Sequence, residues 1–217
     1  KDVHSPSQQQ INILLDHYQS GQLAEAEKLA LSLTQKFPQH GFSWKVLGAV
    51  LGQTGRKSEA LNASQTAVAL SPQDAEVHSN LGIMLQEQGR LDEAVTSYKR
   101  AIVLMPDHAE THYNLGVTLK NQGKLEEAKT SYKRAIALKS NYVEAHYNLG
   151  VIFHELGGFE EAEACYTQAI ALKPDYAEIH NNLGVTLQER GRLDEAVASY
   201  TKAIALMPDY AEAHSNL

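Results

Sequence analysis

The hydrophobic positions along this chain form pairs of short stripes that recur every 34 residues. In residues 109–142, Leu115 and Leu119 lie four residues apart, and a second stripe follows at spacings of three and four. The second stripe consists of Leu125, Ala128, Tyr132, Ala135 and Ile136. Side chains at these spacings share one face of an α-helix. Each 34-residue segment therefore predicts two consecutive amphipathic helices.

Glycine and proline mark the ends of these helices. A glycine separates the two stripes of every segment, at positions 21, 55, 89, 123, 157 and 191. Glycine is common just beyond the last residue of a helix, because it readily adopts the left-handed conformation found there. Proline, which cannot continue a helix, stands after the second stripe at 38, 72, 106, 174 and 208, and Ser140 takes its place once.

The residues after these prolines have the spacing of a helix capping box. Asp107 is predicted to cap the next helix, with Glu110 reaching back to the cap. The same spacing joins Asp175 to Glu178, Asp209 to Glu212 and Asn141 to Glu144. These glutamates are therefore predicted to be capping residues. The same column of carboxylates could also attract a basic peptide; it comprises Glu76, Glu110, Glu144, Glu178 and Glu212.

One helical pair cannot bury both of its apolar stripes, whereas stacked pairs cover one another. The sequence thus predicts one continuous all-α solenoid rather than a globular core. Its repeats are residues 7–40, 41–74, 75–108, 109–142, 143–176 and 177–210, with a partial seventh at 211–217. Residues 1–6 lack the pattern, and we expect them to be frayed. Because the chain begins at Lys1 and stops within a repeat, we expect it to be a piece of a longer protein.

The repeat resembles the tetratricopeptide repeat, which has the same 34-residue period. Leu149-Gly150, Gly157, Ala162, Tyr166 and Pro174 carry the resemblance in the fifth repeat, and it extends over residues 7–217. It implies a right-handed superhelical solenoid of antiparallel helix pairs, in which the first helices line a concave groove. It also implies a protein-binding function.

Two departures from the usual repeat point to one subgroup. The tryptophan near the start of the repeat survives only as Trp44, and histidine replaces it at 78, 112, 146, 180 and 214. An asparagine follows two residues later, so that the string His-x-Asn-Leu-Gly recurs. This string is similar to the repeats of O-linked N-acetylglucosamine transferase and related bacterial proteins. The resemblance implies a ladder of asparagines that holds the backbone of an extended peptide along the groove.

The ladder would consist of Asn80, Asn114, Asn148, Asn182 and Asn216. Tyr113 and Tyr147 would flank it, and Val117, Val151 and Val185 would form the groove floor. An amide both donates and accepts hydrogen bonds, so it can match a peptide bond without reading its sequence. The alternative is that each asparagine bonds a neighbouring helix and is structural. Phe42, Val46 and Ala49 are expected to form a small apolar patch on the groove side, a candidate pocket for a ligand side chain. The alternative is ordinary divergence near the end of the array.

Composition narrows the function classes. The 19 basic and 26 acidic residues give a net charge of −7 without any basic run, which argues against nucleic-acid binding. Lys45 and Lys120 are the main groove cations, too few for a groove that clamps a peptide carboxylate. No 18-residue apolar run occurs, so no membrane span is predicted. The single cysteine, Cys165, excludes an internal disulfide framework.

No phosphate-binding loop, HExxH motif or nucleophile elbow occurs, so no catalytic residue, cofactor or metal is predicted and the chain is not expected to be an enzyme. Histidines one repeat apart are too far from one another to share a zinc ion, and they are expected to pack where tryptophan would otherwise sit. We expect a cytoplasmic scaffold that binds a protein or extended peptide. One alternative is the substrate-recruiting arm of a larger enzyme, such as a glycosyltransferase. The other is a homo-oligomer formed end to end through the open C-terminal stacking face.

Overall fold

A computed structural model describes residues 5–217 as α-helices joined by short turns, which confirms the all-α prediction. The described helices are α1 (Gln8–Gln19), α2 (Leu23–Lys36), α3 (Gly41–Gln53), α4 (Lys57–Leu70), α5 (Ala75–Glu87), α6 (Leu91–Leu104), α7 (Ala109–Asn121), α8 (Leu125–Leu138), α9 (Val143–Glu155), α10 (Phe159–Leu172), α11 (Ala177–Glu189), α12 (Leu193–Leu206) and α13 (Ala211–Asn216). The expectation for residues 1–6 falls largely on residues 1–4, which lie outside the described part of the chain.

The described residues form two compact units, divided between Gln122 and Gly123 and called here the N-terminal and C-terminal units. In the N-terminal unit the odd-numbered helices α1, α3, α5 and α7 contact one another in succession, and the even-numbered helices pack behind them. The C-terminal unit repeats this arrangement, with α9, α11 and α13 in succession and α10 and α12 behind. Each unit is thus a two-layered stack of helix pairs.

The turn within each pair is a tight helix ending built on glycine. At Gly89, φ is +73°, a conformation that a side chain would strain. The amide of Gly89 donates to Gln86 O at 3.0 Å, and that of Arg90 donates to Leu85 O at 2.9 Å. These two bonds are the Schellman motif, which satisfies carbonyls left over at the helix end. The predicted role of the repeating glycine is therefore confirmed at the level of geometry.

The predicted capping boxes are wrong. Helix α7 begins at Ala109, so the N-cap is His108 and no side chain caps this end. Glu110 then occupies the second helical position rather than the third, and it cannot reach back to the cap. The caps before α9, α11 and α13 are likewise Tyr142, Tyr176 and Tyr210, without a side-chain cap. Asp74 caps α5 through Glu76 N, and only Ser7 with Gln10 forms a capping box among the described helices.

The two layers meet through size-matched residue pairs. A Cβ atom placed on Gly82 would lie 2.6 Å from the ring of Tyr98, and one on Gly184 would lie 2.5 Å from the ring of Tyr200. Glycine is needed there because the fully buried ring occupies the space of a side chain. The first repeat reverses the sizes, with Leu14 and Ala30 both fully buried at the equivalent positions. In residues 41–74 the pair is Gly48 and Ser64, and both members are small.

Within the described residues, no helix has both the length and the apolar character needed to cross a bilayer.

Candidate functional site

The histidine column has a structural role on the odd-numbered helices. The Nε2 atom of His180 lies 2.8 Å from the carbonyl oxygen of Pro174, six residues earlier, and the side chain is buried. His78, His112, His146 and His214 make the same contact with residues 72, 106, 140 and 208. Trp44 donates from Nε1 to Pro38 O at 2.9 Å in the same way. Because a carbonyl only accepts, each histidine must carry its proton on Nε2, and it replaces the tryptophan N–H.

Tyr147 on α9 joins two residues of the next odd-numbered helix, α11. Its hydroxyl donates to Glu178 Oε1 at 2.5 Å and accepts from Asn182 Nδ2 at 3.1 Å. The ring also stacks against Tyr176, with 6.1 Å between ring centroids. Burial, together with the hydrogen bond to the carboxylate, raises the pKa of Tyr147 well above its usual value. The phenol therefore stays protonated and holds Asn182 in place.

Lys45 on α3 occupies the position of Tyr147 in its own repeat but bonds differently. Its Nζ donates to Asp74 Oδ2 at 3.1 Å and to Glu76 Oε2 at 2.6 Å. Burial alone would lower the pKa of Lys45, but the hydrogen bonds to Glu76 and Asp74 outweigh it and raise the pKa. Two of the three N–H donors of this ammonium therefore go to carboxylates. The side chain of Asn80 makes no hydrogen bond with any described residue.

The predicted asparagine ladder therefore falls into two sets. Asn182 is held by Tyr147, Asn216 donates to Asn181 Oδ1 at 3.1 Å, and Asn148 donates to the backbone oxygen of Glu144 at 3.0 Å. Asn80 and Asn114 are half-buried, and neither side chain bonds a described residue. Only these two amides keep their full donor and acceptor capacity.

A cavity of about 360 Å³ opens on the odd-numbered helices of the N-terminal unit. Its wall includes Phe42, Val46 and Ala49, the three residues expected to form an apolar patch. Asn80 lies on the same wall. Around these stand Lys45, Glu76 and Glu110, and the apolar side chains of Leu15 and Ile83. Since Lys45 is paired with two carboxylates, the polar rim of this cavity is acidic.

The C-terminal unit has a smaller cavity of about 160 Å³. It brings together three predicted residues, Asn182, Val151 and Val185, beside the ring of Tyr166. Three other predicted residues lie on α7 of the N-terminal unit, where Tyr113, Asn114 and Val117 are half-buried. Asn216 is exposed near the end of α13.

Sequence reasoning missed the bonding partners of this surface. Glu76 and Glu178 each lie 31 residues after the side chain that they bond, Lys45 and Tyr147 respectively. The misplaced capping box hid this relation, because it assigned the carboxylates to their own helix ends. No sequence signal marked these two pairs, because every two columns of an uninterrupted 34-residue repeat keep a constant spacing.

Cys165 has the character of an inert core thiol. It is partly buried on α10, and burial raises its pKa to about 11. A thiol with a raised pKa is protonated near neutral pH and is a poor nucleophile. Among the described residues, no three His, Cys, Asp or Glu side chains are grouped closely enough to hold a metal ion.

Comparison with known families and structures places this geometry in context. A family profile described as "TPR repeat" matches residues 84–123, 118–157, 152–189 and 186–217. A second profile, described as "Tetratricopeptide repeat", matches residues 12–75. No curated protein has significant sequence similarity to the chain.

Several solved structures are similar. A MamA protein is 26% identical with a TM-score of 0.72, over 79% of this chain and 94% of that chain. YrrB, described as "a TPR protein with an unusual peptide-binding site", is 20% identical with a TM-score of 0.75, over 86% of this chain and 96% of that one. PilF of Pseudomonas aeruginosa is 19% identical with a TM-score of 0.83, over 95% of this chain and 94% of that one.

Proposed function

Because the chain belongs to the tetratricopeptide repeat family, we propose that it is a protein-interaction scaffold that binds an extended peptide. The proposed binding surface is the cavity-bearing face of α3, α5 and α7 in the N-terminal unit. Asn80 and Asn114 hold the peptide backbone there.

The observation that carries the proposal is the unbonded amide of Asn80 on the wall of the 360 Å³ cavity. An amide needs both a donor and an acceptor partner, and an extended peptide presents one of each at every residue. Each such bond contributes about 0.5–1.5 kcal/mol net, so the apolar wall of Phe42, Val46 and Ala49 must supply further affinity. Side chains of the ligand are expected to pack against that wall.

The charge of the surface defines the class of peptide. Glu76 and Glu110 line the cavity, and Lys45 is neutralised by Asp74 and Glu76. An acidic surface of this kind favours neutral or basic peptides and repels acidic ones. The peptide-binding site named in the description of YrrB supports the proposal at the level of the fold.

The test is affinity selection of a random peptide library on the wild-type chain, followed by titration of the enriched peptides. Asn80→Ala combined with Asn114→Ala should weaken binding at least about fivefold, because two backbone hydrogen bonds are lost. Asn182→Ala is the matched control, since Tyr147 already occupies that amide. Equal affinity of the double variant and the wild type, at equal stability, would refute the role of Asn80 and Asn114.

A second proposed function, self-association, rests on one apolar face of α12. Leu193 and Val197 are 60% and 47% exposed, whereas Val95, which occupies the position of Val197 in its own repeat, is 8% exposed. An apolar face that other repeats bury can be covered by a second copy of the chain. Sedimentation over a wide concentration range, with Val197→Glu as control, tests this. A monomer at all concentrations argues against it.

A further inference from the structure

The second repeat, residues 41–74, lacks the tyrosine that fills the helix pair in later repeats. Ser64 stands where Tyr98, Tyr166 and Tyr200 stand, opposite the equivalent glycine, Gly48. Gly52 stands where Gln86 and Gln188 accept hydrogen bonds from the hydroxyls of Tyr98 and Tyr200. Both the ring and the partner of its hydroxyl are therefore missing from this repeat.

The chain only partly closes the resulting space. A Cβ on Gly48 would lie 3.2 Å from the backbone nitrogen of Ser64, a close approach of α3 and α4 that takes up some of the volume. A cavity of about 190 Å³ remains, lined by Gly48, Gly52 and Ser64. Ile83 and Met84 of α5 form its apolar side.

A buried polar group faces this cavity without a partner. Ser64 is 3% exposed, and its hydroxyl makes no hydrogen bond with any described residue. Because no other group of the chain occupies this hydroxyl, it is available to a donor or acceptor atom that enters the cavity. Its position calls for a ligand that is apolar along its length and polar at its tip.

The cavity opens onto the proposed peptide-binding surface. It shares Tyr18, Ala49, Asn80 and Ile83 with the 360 Å³ cavity. A peptide backbone held by Asn80 would therefore pass directly over its mouth. A side chain pointing inward from that backbone would enter the cavity that Ser64 lines.

We infer that this cavity, called here the Ser64 pocket, takes one tyrosine side chain of the bound peptide. The inference rests on the proposed peptide-binding function and names its ligand class. An apolar cavity of about 150 Å³ holds a benzene ring, so 190 Å³ has room for a phenol. Met84 provides a sulfur–aromatic contact, and the tyrosine hydroxyl reaches Ser64. Glu87 at the pocket and Glu76 nearby favour a lysine or arginine two residues from the tyrosine, on the same side of the extended peptide.

The experiment uses three changes in the wild-type chain. Ser64→Tyr restores the ring that other repeats carry and fills the pocket from within. Gly52→Gln blocks the pocket from α3; its Cβ would meet only the flexible end of Met84, so the cost to folding is small. Ser64→Ala keeps the space but removes the hydroxyl. The matched control is Gln65→Tyr, which adds an aromatic residue to the exposed side of the same helix.

The probes are fluorescein-labelled extended peptides with a central Lys-Ala-Tyr-Ala-Lys segment, in which the tyrosine is also replaced by Phe or Ala. Wild type and Gln65→Tyr should bind the tyrosine peptide about tenfold or more tightly than the alanine peptide, since one ring is buried. Ser64→Tyr and Gly52→Gln should remove that preference. Ser64→Ala should abolish only the discrimination between tyrosine and phenylalanine, which one hydrogen bond sets at about two- to tenfold.

The outcomes separate the inference from the proposed function. Binding of all probes by wild type without preference for tyrosine overturns the Ser64 pocket and leaves the peptide-binding surface standing. The same holds if Ser64→Tyr and Gly52→Gln, both folded by circular dichroism, keep the preference. Absence of binding to any probe or library peptide overturns the proposed function and the inference together. If Ser64→Tyr fails to fold, Gly52→Gln decides alone.

Discussion

The amide nitrogen of Asn182 lies 3.1 Å from the phenol oxygen of Tyr147, one repeat earlier, and this bond removes Asn182 from the set of free asparagines. Tyr147 can accept it because its own proton goes to Glu178. The equivalent side chain before Asn80 is Lys45, which has donors only and cannot accept from an amide; two of its donors go to Asp74 and Glu76. The same column of asparagines is therefore structural at one end and open at the other.

The first prediction concerns this bond. Tyr147→Phe should lower the free energy of unfolding by about 1–2 kcal/mol, because Glu178 and Asn182 both lose a partner. Urea denaturation followed by circular dichroism measures the change. Asn80→Ala is the control and should alter stability by less than about 0.5 kcal/mol. A Tyr147→Phe variant with the same free energy of unfolding as the wild type would contradict the structural role of the bond between Tyr147 and Asn182.

The second prediction tests the size-matched pair between the layers. Gly82→Ala should destabilise the chain by about 1–3 kcal/mol, because its Cβ would enter the ring of Tyr98. Tyr98→Ala should cost about 3–5 kcal/mol through the cavity that it leaves.

The double variant that combines Gly82→Ala with Tyr98→Ala separates the packing effect of the added methyl group from its effect on helix propensity. Removing the ring removes the three atoms nearest to the added methyl group, so the two losses should not add and the coupling energy should exceed about 0.5 kcal/mol. Additive losses in urea denaturation would show that the two residues are independent. The first repeat already has such an exchange, because the larger Leu14 stands at the position of Gly82 and the smaller Ala30 at that of Tyr98, and both are fully buried.

The third prediction concerns the histidine column. His180→Phe keeps the ring but removes the proton donated to Pro174 O, so it should destabilise the chain by about 1–2 kcal/mol. His17→Phe is the control, since that ring bonds only the exposed side chain of Gln22. Thermal and urea unfolding of both variants provide the measurement. Equal stability of the two would mean that the carbonyl of Pro174 does not need its donor.

The fourth prediction is a pH dependence at Cys165. Burial raises the pKa of this thiol to about 11, so at pH 8 the folded chain should react with a disulfide reagent about a hundredfold more slowly than the urea-unfolded chain. The rate in the folded state should rise up to about pH 11. A rate that reaches a plateau near pH 8.5 would contradict a pKa raised by burial of the Cys165 thiol.

The same shift has a consequence for stability. Because the pKa is higher in the folded state than its unfolded value of about 8.5, the thiol's contribution to stability is complete below that pH. It is lost as the pH rises towards 11. A Cys165→Ala variant, compared with wild type in urea at pH 7 and pH 10, isolates this contribution.

Much of the architecture followed from spacing alone. The 34-residue period and the turn glycine at Gly89 predicted helix pairs, because helix periodicity and left-handed backbone conformation are local properties. The prediction of capping boxes was wrong because a capping box depends on the exact first residue of the helix. The N-cap of α7 is His108 instead of the predicted Asp107, and this shift of one residue places Glu110 out of reach of the cap. The apolar wall of Phe42, Val46 and Ala49 was expected, because side chains at spacings of three and four share a helix face.

The sequence by itself determined the all-α repeat, since each helix and turn is encoded within one segment and copied. It could not tell Asn80 from Asn182, because repetition copies the residue without its surroundings. Only the tertiary structure decided which amide was free, through the neighbour that each met: a donor-only lysine before one and a phenol before the other. The space beside Ser64 was decided in the same way, because a cavity depends on how closely two helices approach as well as on which residues are small.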